Sequence, residues 1–377
     1  MNIPKLRFKD NNGNDYPQWE KKKLGDIVQF LDNKRKPLEQ SERIHGKYPY
    51  YGASGIIDYI NNYIFDEELV LLSEDGANII DRNYPICYIA TGKYWVNNHA
   101  HVLKTKSQYL NKFLCEALER LNYNKYNTGT AQPKLNQDIC KNILLNIPIL
   151  HEQEKIANFF STIDKKIKNL ANTITSLENQ KKGLLQQIFS QKLRFKDKNG
   201  NNYPNWKKKK LGDLFTIKAG GDINKENFSE QYSIEFKYPV YANALTNNGL
   251  YGYSNIYKID KPSITVTGRG INVGFALSRE PFYYPIVHLL VLIPNININF
   301  TFFTESINFI HIFNESTGVP QLTAPQLSKV NVYVPNIEEQ NKIGNLFDKL
   351  NEKIDNKKAQ LEHWQQIKKG LLQQMFV

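Results

Sequence analysis

The chain has 377 residues, enough for two or three domains that each bury a core of their own. Its 49 Lys and Arg against 37 Asp and Glu give a net charge of +12, which favours a polyanionic partner such as nucleic acid or an anionic membrane surface. Its most apolar stretch, residues 285–294, is far shorter than the roughly 20 residues that a spanning helix needs, so no transmembrane helix is predicted.

The opening residues and the cysteines indicate the compartment. The first residues lack the basic, apolar and small-residue order of a secretory signal. Cys87, Cys115 and Cys140 are odd in number and never spaced as C-x-x-C, which argues against a disulfide framework and against a zinc site. We therefore expect a cytoplasmic protein whose cysteines are buried as small apolar residues.

The first 150 residues predict a mixed α+β domain. Aliphatic segments bounded by glycines and asparagines predict strands at 69–72, 86–90 and 101–103, and a helix is predicted near 111–121. Two groups in this domain are candidates for contacts with a polyanion, although the second would also suit an ordinary hairpin tip. These candidates are Lys34, Arg35 and Lys36 in the first group, and Lys93, Tyr94, Asn97 and Asn98 in the second.

Residues 151–190 predict a long helix with a coiled-coil seam. Apolar residues follow a 4-3 alternation for five heptads, interrupted at one seam position by Lys181. Such a stripe either pairs with another helix or packs on its own globular domain, and its length favours the coiled coil. The apolar seam residues are Ile156, Phe160, Ile163, Ile167, Leu170, Ile174, Leu177, Leu184 and Ile188.

After residue 190 the pattern begins again. The string KLRFKDNNGNDYPQW from Lys5 returns as KLRFKDKNGNNYPNW from Lys192, and PILHEQEKIANFF from Pro148 returns as PNIEEQNKIGNLF from Pro335, both 187 residues later. The repeat predicts a second α+β domain at 191–337 and a second long helix at 338–377. We expect the two helices to pair as an antiparallel coiled coil, with the halves related by a pseudo-two-fold axis. The second seam consists of Ile343, Phe347, Leu350, Ile354, Leu361, Trp364, Leu371 and Met375.

The interior of the second half diverges from that of the first. Strands are predicted at 264–267, 286–293 and 330–334, and a helix near 302–313. Lys218 precedes two glycines, where a backbone could approach a phosphate closely. Arg269 lies where the first half has Asp75, and an arginine can bind guanine with two hydrogen bonds, whereas an acid accepts only from an amino group such as that of cytosine. A plain strand-connecting turn is the alternative. The lysine runs 21–23 and 207–210 recur in both halves, so a solvated face is the favoured interpretation.

Four features, in the same order in both halves, carry a resemblance to a known family: a Tyr-Pro-x-Trp…Leu-Gly-Asp opening, a loop before the long helix, a Pro-x-x-x-Glu-Gln helix start and a GLLQQ-[IM]-F helix end. Over nearly its whole length the chain resembles the specificity subunits of type I restriction-modification systems. The carriers are Tyr16, Pro17, Trp19, Leu24, Gly25 and Asp26 with Tyr203, Pro204, Trp206, Leu211, Gly212 and Asp213; the loops 128–135 and 316–322; Pro148, Glu152 and Gln153 with Pro335, Glu339 and Gln340; and 183–189 with 370–376.

The resemblance implies a function for each part. Each α+β domain would be a target-recognition domain that reads one half of a bipartite, asymmetric target in double-stranded DNA. The paired helices would set the gap between the half-sites and dock methyltransferase subunits, two in number, with restriction and translocase subunits joining through the complex. S-adenosylmethionine, ATP and Mg²⁺ would be used by the complex and not bound by this chain.

No catalytic signature accompanies these features. The sequence lacks a G-x-x-x-x-G-K-[ST] loop, an Asn/Asp-Pro-Pro-aromatic run and a helix-opening G-x-G-x-x-G. The segment 97–101 contains His99 and His101, but no third ligand follows at a recognisable metal-site spacing, so a structural turn or a DNA contact is favoured. We expect a non-enzymatic chain without a cofactor or metal of its own.

Two other functions fit part of the pattern. A stand-alone bipartite DNA-binding protein would lack a docking surface for enzymatic partners on its helices. A coiled-coil scaffold with incidental basic charge would show neither sequence-dependent nor salt-dependent DNA binding.

Overall fold

The computed structural model describes residues 4–105, 108–129, 131–310, 312 and 320–376. It divides into two compact units, one formed by Met1–Ala171 with Ala359–Val377 and the other by Asn172–Lys358. The division falls inside both long helices, so each unit contains one α+β domain and parts of both helices. The segments 1–150, 151–190, 191–337 and 338–377 follow the sequence repeat and stay a prediction about domains.

Over the residues that the structure describes, the first unit contains ten strands, four short helices, the beginning of one long helix and the end of another. The strands are β1 (Glu20–Lys23), β2 (Val28–Phe30), β3 (His45–Gly52), β4 (Gly55–Ile60), β5 (Phe65–Asp66), β6 (Leu69–Ser73), β7 (Cys87–Ala90), β8 (Lys93–Val96), β9 (Ala100–Thr105) and β10 (Leu144–Ile147). The helices are α1 (Leu24–Ile27), α2 (Asn78–Asp81), α3 (Gln108–Arg120), α4 (Gln137–Lys141) and α5 (Leu150–Phe189). The strands form sheets in the orders β2-β9-β6-β7, β4-β3-β8-β5 and β1-β10.

Strand β6 lies at the centre of this unit because both of its faces are apolar. Val70 and Leu72 share a core with α3, whereas Leu69 and Leu71 face a second core that includes Tyr94 of the other four-stranded sheet. All five residues of β6 are buried. Its continuous apolar run is typical of a strand covered on both sides.

The second unit repeats this plan. Its strands are β11 (Lys207–Lys210), β12 (Phe215–Ala219), β13 (Phe228–Ser229), β14 (Tyr238–Tyr241), β15 (Leu250–Ser254), β16 (Ser263–Thr267), β17 (Ala276–Arg279), β18 (Tyr284–Pro285), β19 (Leu289–Pro294) and β20 (Asn331–Val334). Its helices are α6 (Leu211–Leu214), α7 (Phe300–Ile310), α8 (Ala324–Ser328) and α9 (Ile337–Met375). The sheets are ordered β12-β19-β16-β17, β13-β15-β14-β18 and β11-β20, the same arrangement as in the first unit.

The predicted elements are present among the described residues. The strands expected at 69–72, 86–90, 101–103, 264–267 and 330–334 correspond to β6, β7, β9, β16 and β20, and the two expected helices to α3 and α7. The strand expected at 286–293 starts later, at Leu289, because His288 adopts a left-handed φ of 67° that an extended strand does not accommodate. Phe313, the expected end of α7, lies outside the described residues.

Helices α5 and α9 have 40 and 39 residues, so each is about 60 Å long. In the first unit, the ring of Phe160 contacts that of Phe376 and Asp164 pairs with Lys368. In the second, Phe189 stacks on Phe347, and Glu178 pairs with Lys358. In both units the helices therefore run in opposite directions, as predicted.

All seventeen predicted seam residues are buried or half-buried. The stripe also packs on the α+β domains, because Ile156 and Met375 belong to the core of the first unit, and Ile188 and Ile343 to that of the second. The two alternatives for the seam therefore both hold, at different points along the helices. Among the described residues, no helix combines the length and apolarity needed to cross a bilayer.

The glutamate of each Pro-x-x-x-Glu-Gln helix start joins the helix to the opening segment of its repeat. The Glu152 carboxylate is fully buried and accepts hydrogen bonds from Arg7 Nη2 at 2.6 Å and from Trp19 Nε1 at 3.0 Å. In the second unit the same contacts recur among Glu339, Arg194 and Trp206. A buried carboxylate needs such partners, which explains why these three residues recur together.

The lysine that interrupts each seam pairs with a glutamate of the adjoining domain. Lys181 Nζ lies 2.6 Å from the carboxylate of Glu305 in α7. Its counterpart Lys368 lies 3.0 Å from Glu116 in α3 and 2.9 Å from Asp164 in α5. The polar seam position therefore fixes where the helix of each domain sits on the long helix.

Candidate nucleic-acid interface

Three loops of the first unit meet where strand β6 ends. The backbone N–H of Glu74 donates to the carbonyl of His99 at 2.9 Å. The N–H of Gly76 donates to the carbonyl of Pro133 at 3.0 Å, and that of Leu135 to the carbonyl of Glu74 at 2.7 Å. Backbone hydrogen bonds thus hold the loops in place whatever side chains they carry.

The second unit builds the same junction at the end of β16. The N–H of Gly268 donates to the carbonyl of His288 at 2.8 Å. The N–H of Gly270 donates to the carbonyl of Pro320 at 2.9 Å, and that of Leu322 to the carbonyl of Gly268 at 2.7 Å. We call these two places the loop junctions. Each includes the described part of a loop that carries the family resemblance; Thr130 and residues 316–319 lie outside the described residues.

The two junctions differ in charge at one equivalent position. The side chain of Asp75 in the first unit hydrogen-bonds His99 Nδ1 at 2.8 Å, and its backbone forms an isolated antiparallel β-bridge with Lys134. Nη1 of Arg269 in the second unit contacts His288 Nε2 at 3.1 Å, and the backbone of Arg269 forms the equivalent β-bridge with Gln321. The same backbone frame therefore presents an acid in one unit and an exposed guanidinium in the other.

Asn243 fixes the backbone that carries Arg269. Its Oδ1 accepts hydrogen bonds from the N–H groups of Gly268 and Arg269 at 2.8 and 3.1 Å, and its Nδ2 donates to the carbonyl of Arg269 at 2.8 Å. The amide thus satisfies three polar groups of the backbone. A guanidinium that must meet two acceptors on a base benefits from a backbone held in this way.

Of the three basic residues 34–36, the middle one is part of the folded interior. The guanidinium of Arg35 pairs with Glu74 at 2.5 Å and donates to the carbonyl of Ala100 at 2.9 Å. It is therefore engaged in supporting the loop junction, and the prediction that it contacts DNA directly is corrected. Lys34 and Lys36 are exposed and stay predictions.

Asp32, Glu74 and His101 bring potential metal-ligating atoms within 4.8 Å of one another. Both ring nitrogens of His101 already face acceptors, Nδ1 the Asp32 carboxylate and Nε2 the carbonyl of Leu135, each at 2.7 Å. Burial is the largest single effect and lowers the pKa of His101, but the hydrogen bonds and charges of Asp32 and Cys140 together outweigh it and raise the pKa to about 10. With Arg35 beside both carboxylates, the group is neutralised internally and does not fit a metal.

The second predicted group of DNA contacts is corrected in part. Tyr94 is fully buried, with its ring stacked on Phe65 in the core that this strand shares with β6. Asn97 is also buried, and its side chain accepts a hydrogen bond from the N–H of His99. Neither side chain can reach a base. Lys93 and Asn98 are exposed and stay predictions.

Lys218 is exposed on β12 and stays a predicted DNA contact. Gly220, two residues later, was expected to let the backbone approach a phosphate, and the structure gives it a different role. A Cβ at Gly220 would lie 2.2 Å from the carbonyl oxygen of Ile286, so the glycine allows two backbones of the protein to approach each other. The lysine runs form the exposed strands β1 and β11, in agreement with a solvated face.

Sequence reasoning left His99 as either a structural turn or a DNA contact, on the signal that His288 corresponds to it across the repeat. It did not identify Asn243. Asn243 has no asparagine counterpart, since Ala53 lies nearest to the equivalent place and accepts a hydrogen bond from Ser73 Oγ instead. Nothing in the sequence marked that residue.

Known proteins share both the sequence pattern and the fold. A family model described as the type I restriction modification DNA specificity domain matches residues 16–179 and 203–364. The specificity subunit of the type I restriction enzyme MjaVIII of Methanocaldococcus jannaschii is 22% identical over 411 residues, covering 97% of this chain and 94% of its own. A type I specificity subunit of Mycoplasma pneumoniae is 27% identical over 334 residues, covering 87% of this chain and 88% of its own.

Two solved structures have a similar fold. The S subunit of a type I restriction-modification system from M. genitalium has a TM-score of 0.72 at 19% identity, covering 99% of both chains. A chain from a study of complex assembly and conformational transition in the type I R-M system has a TM-score of 0.54 at 13% identity, covering 94% of this chain and 97% of its own.

Proposed function

Since this chain belongs to the type I restriction-modification DNA specificity family, we propose that each of its two units reads one half of a bipartite, asymmetric DNA target. The chain is a specificity subunit with two tandem recognition domains. Base recognition is assigned to the loop junctions, with Asp75 and His99 in the first unit and Arg269 and His288 in the second. Exposed lysines near them would hold the phosphates.

One observation carries this proposal: two equivalent backbone junctions present side chains of opposite charge. A guanidinium donates to the two acceptors of guanine in the major groove, whereas a carboxylate accepts from the amino group of cytosine. Two units that shared a function without reading a sequence would have no reason to present opposite charges from the same backbone frame. The difference supports a target whose halves are unlike.

The long helices are proposed to set the distance between the half-sites and to dock methyltransferase subunits, two in number. Restriction and translocase subunits would join through that complex. The chain itself would transfer no methyl group and cut no DNA, because it lacks phosphate-loop, methyltransferase and nuclease signatures. We also propose that it acts in the cytoplasm, where its DNA target is found.

The proposal is tested by mapping methylated adenines in the DNA of cells that carry this gene alone, the gene of a partner methyltransferase subunit alone, or both. We expect a gapped, non-palindromic motif that appears only when both genes are present. The matched control is the pair Asp75→Ala and Arg269→Ala, each of which should change a different half of the motif. A palindromic motif, or methylation by this chain alone, would contradict the proposal.

A further inference from the structure

An isolated aliphatic side chain stands at the tip of the second loop junction. Ile271 follows Arg269 and Gly270 in the turn between β16 and β17, and it is 94% exposed. Its neighbour Asn272 is also exposed and polar. Single exposed aliphatic side chains are common on protein surfaces, so exposure alone gives Ile271 no role; what distinguishes it is its place beside Arg269 at the loop junction.

The turn that presents Ile271 is held by several backbone contacts. Gly270 has a φ of +90°, a conformation that glycine adopts without strain, and its carbonyl accepts a hydrogen bond from the N–H of Val273 at 3.1 Å. The N–H of Gly274 donates to the carbonyl of Thr267 at 2.8 Å. The position of Ile271 beside Arg269 is therefore defined before any partner arrives.

The first unit has a shorter side chain at the equivalent place. Gly76 also has a positive φ, of +108°, and the residue after it is the exposed Ala77. Both units thus place an apolar side chain two residues after the variable charged position, with different reach. In the major groove thymine offers a methyl group, which small apolar side chains contact, next to the hydrogen-bonding edges of the neighbouring base pair.

We propose that Ile271 contacts the methyl group of a thymine adjacent to the base read by Arg269. This inference deepens the proposed function and rests on it. A docking surface for another protein would present several apolar side chains together, whereas Ile271 is flanked by a guanidinium and an amide. One exposed aliphatic side chain matches the size of one thymine methyl.

The test removes the thymine methyl group and the Ile271 side chain, first separately and then together. The complex of the full chain with its methyltransferase subunits is titrated with duplexes in which each thymine of the half-site is replaced in turn by uracil, which lacks only the methyl group. We expect one uracil position to weaken binding about fourfold, the effect of exposing one methyl group. In Ile271→Ala the same replacement should have little further effect. Ile234→Ala, which truncates another isoleucine of the same unit that is 92% exposed, is the matched control and should keep the full uracil effect.

The possible outcomes distinguish failure of the thymine contact from failure of the proposed DNA-reading function. If the wild-type complex binds its target but no uracil position matters, if the half-site contains no thymine, or if Ile271→Ala keeps the full uracil effect, the thymine contact is wrong and the function stands. If Ile271→Ala instead weakens association with the methyltransferase subunits, the residue belongs to a protein interface and the inference is overturned. If the wild-type complex shows no sequence preference, the proposed function itself fails.

Discussion

Raising the pH should loosen the first recognition unit selectively, because His101 donates hydrogen bonds from both ring nitrogens. Only the imidazolium has two N–H groups, and the acceptors are the carboxylate of Asp32 and the carbonyl of Leu135. Deprotonation would leave one nitrogen lone pair facing an oxygen. Leu135 also donates to the carbonyl of Glu74, so this contact supports the loop junction directly.

The size and sign of the effect follow from the raised pKa. The folded pKa of His101 is about 10 and its ordinary value is 6.5, so the folded state holds one more proton than the unfolded state between these values. This stabilisation is fully present below pH 6.5 and is lost as the pH rises through the folded pKa. The slope is about 1.4 kcal/mol per pH unit, or about 2 kcal/mol between pH 7 and 8.5.

Asp32 sets the lower limit of the pH range in which its pair with His101 stabilises the first unit. Burial is the largest single effect and acts against the charge of its carboxylate. The hydrogen bond and charge of His101, together with the N–H of Val102 and the charge of Arg35, outweigh it and lower the pKa of Asp32 below the ordinary 3.8. The stability that this carboxylate contributes is therefore present above pH 3.8 and lost as the pH falls through the lowered value. The pair should stabilise the first unit most between roughly pH 4 and 6.5.

Hydrogen exchange measured by mass spectrometry, corrected for the intrinsic exchange rate at each pH, reports the stability of each unit separately. Peptides covering β9 should lose protection with rising pH, while those covering β19 should not, because Leu290 takes the place of His101 there and Ala219 lies opposite it. The double variant Asp32→Ala/His101→Leu installs those two residues in the first unit. If the protection of β9 and β19 changed with pH by the same amount, or the double variant kept the wild-type slope, the argument would be refuted.

Three further predictions concern the helices and the loop junctions. Glu152→Leu should destabilise the first unit by about 3 kcal/mol, and Glu339→Leu the second by a similar amount, because each change leaves an arginine without its buried carboxylate. Urea unfolding of each unit would measure this loss of stability. An equal loss in both units from one substitution would contradict the prediction. Arg269→Ala should relax base preference in one half-site at a cost of about 1–3 kcal/mol in binding, with the other half-site intact in the methylation map. Inserting four residues within 169–179 should lengthen the spacer by about 6 Å and shift the gap by one or two base pairs, and altered half-site bases in the mapped motif would count against a measuring role.

The architecture could be predicted from the sequence because it depends on patterns that survive substitution. A 187-residue repeat, a seam of regular spacing and apolar runs such as β6 indicate helices and buried strands whatever the individual contacts are. Even the interruption at Lys181 was visible, although its partner Glu305 was not, because the two lie far apart in the sequence and meet only in the fold.

The candidate interface was harder to predict because side-chain direction decides it. Tyr94 and Lys93 are neighbours on one strand, yet one is buried and the other exposed, although Trp95 on the same face as Lys93 is also buried. Arg35 reads as a free cation in the sequence, but its partner Glu74 comes from a loop 39 residues away. Composition indicates which residue types suit DNA binding, but only the fold shows which of these side chains are exposed and not engaged in contacts within the protein.

The composition of the two units bears on the order in which the protein can fold during synthesis. The second unit is one continuous stretch, Asn172–Lys358, and can complete its core as soon as that stretch has left the ribosome. The first unit contains the aromatic cluster of Trp19 and Phe113 with Phe376, so the segment Met1–Ala171 must wait for the segment Ala359–Val377. Until that later segment is made, the core of the first unit is incomplete, and chaperones and aggregation compete for it. A premature stop in the part of α9 that follows Lys358 would thus leave the later-made unit folded and the earlier-made one unfinished.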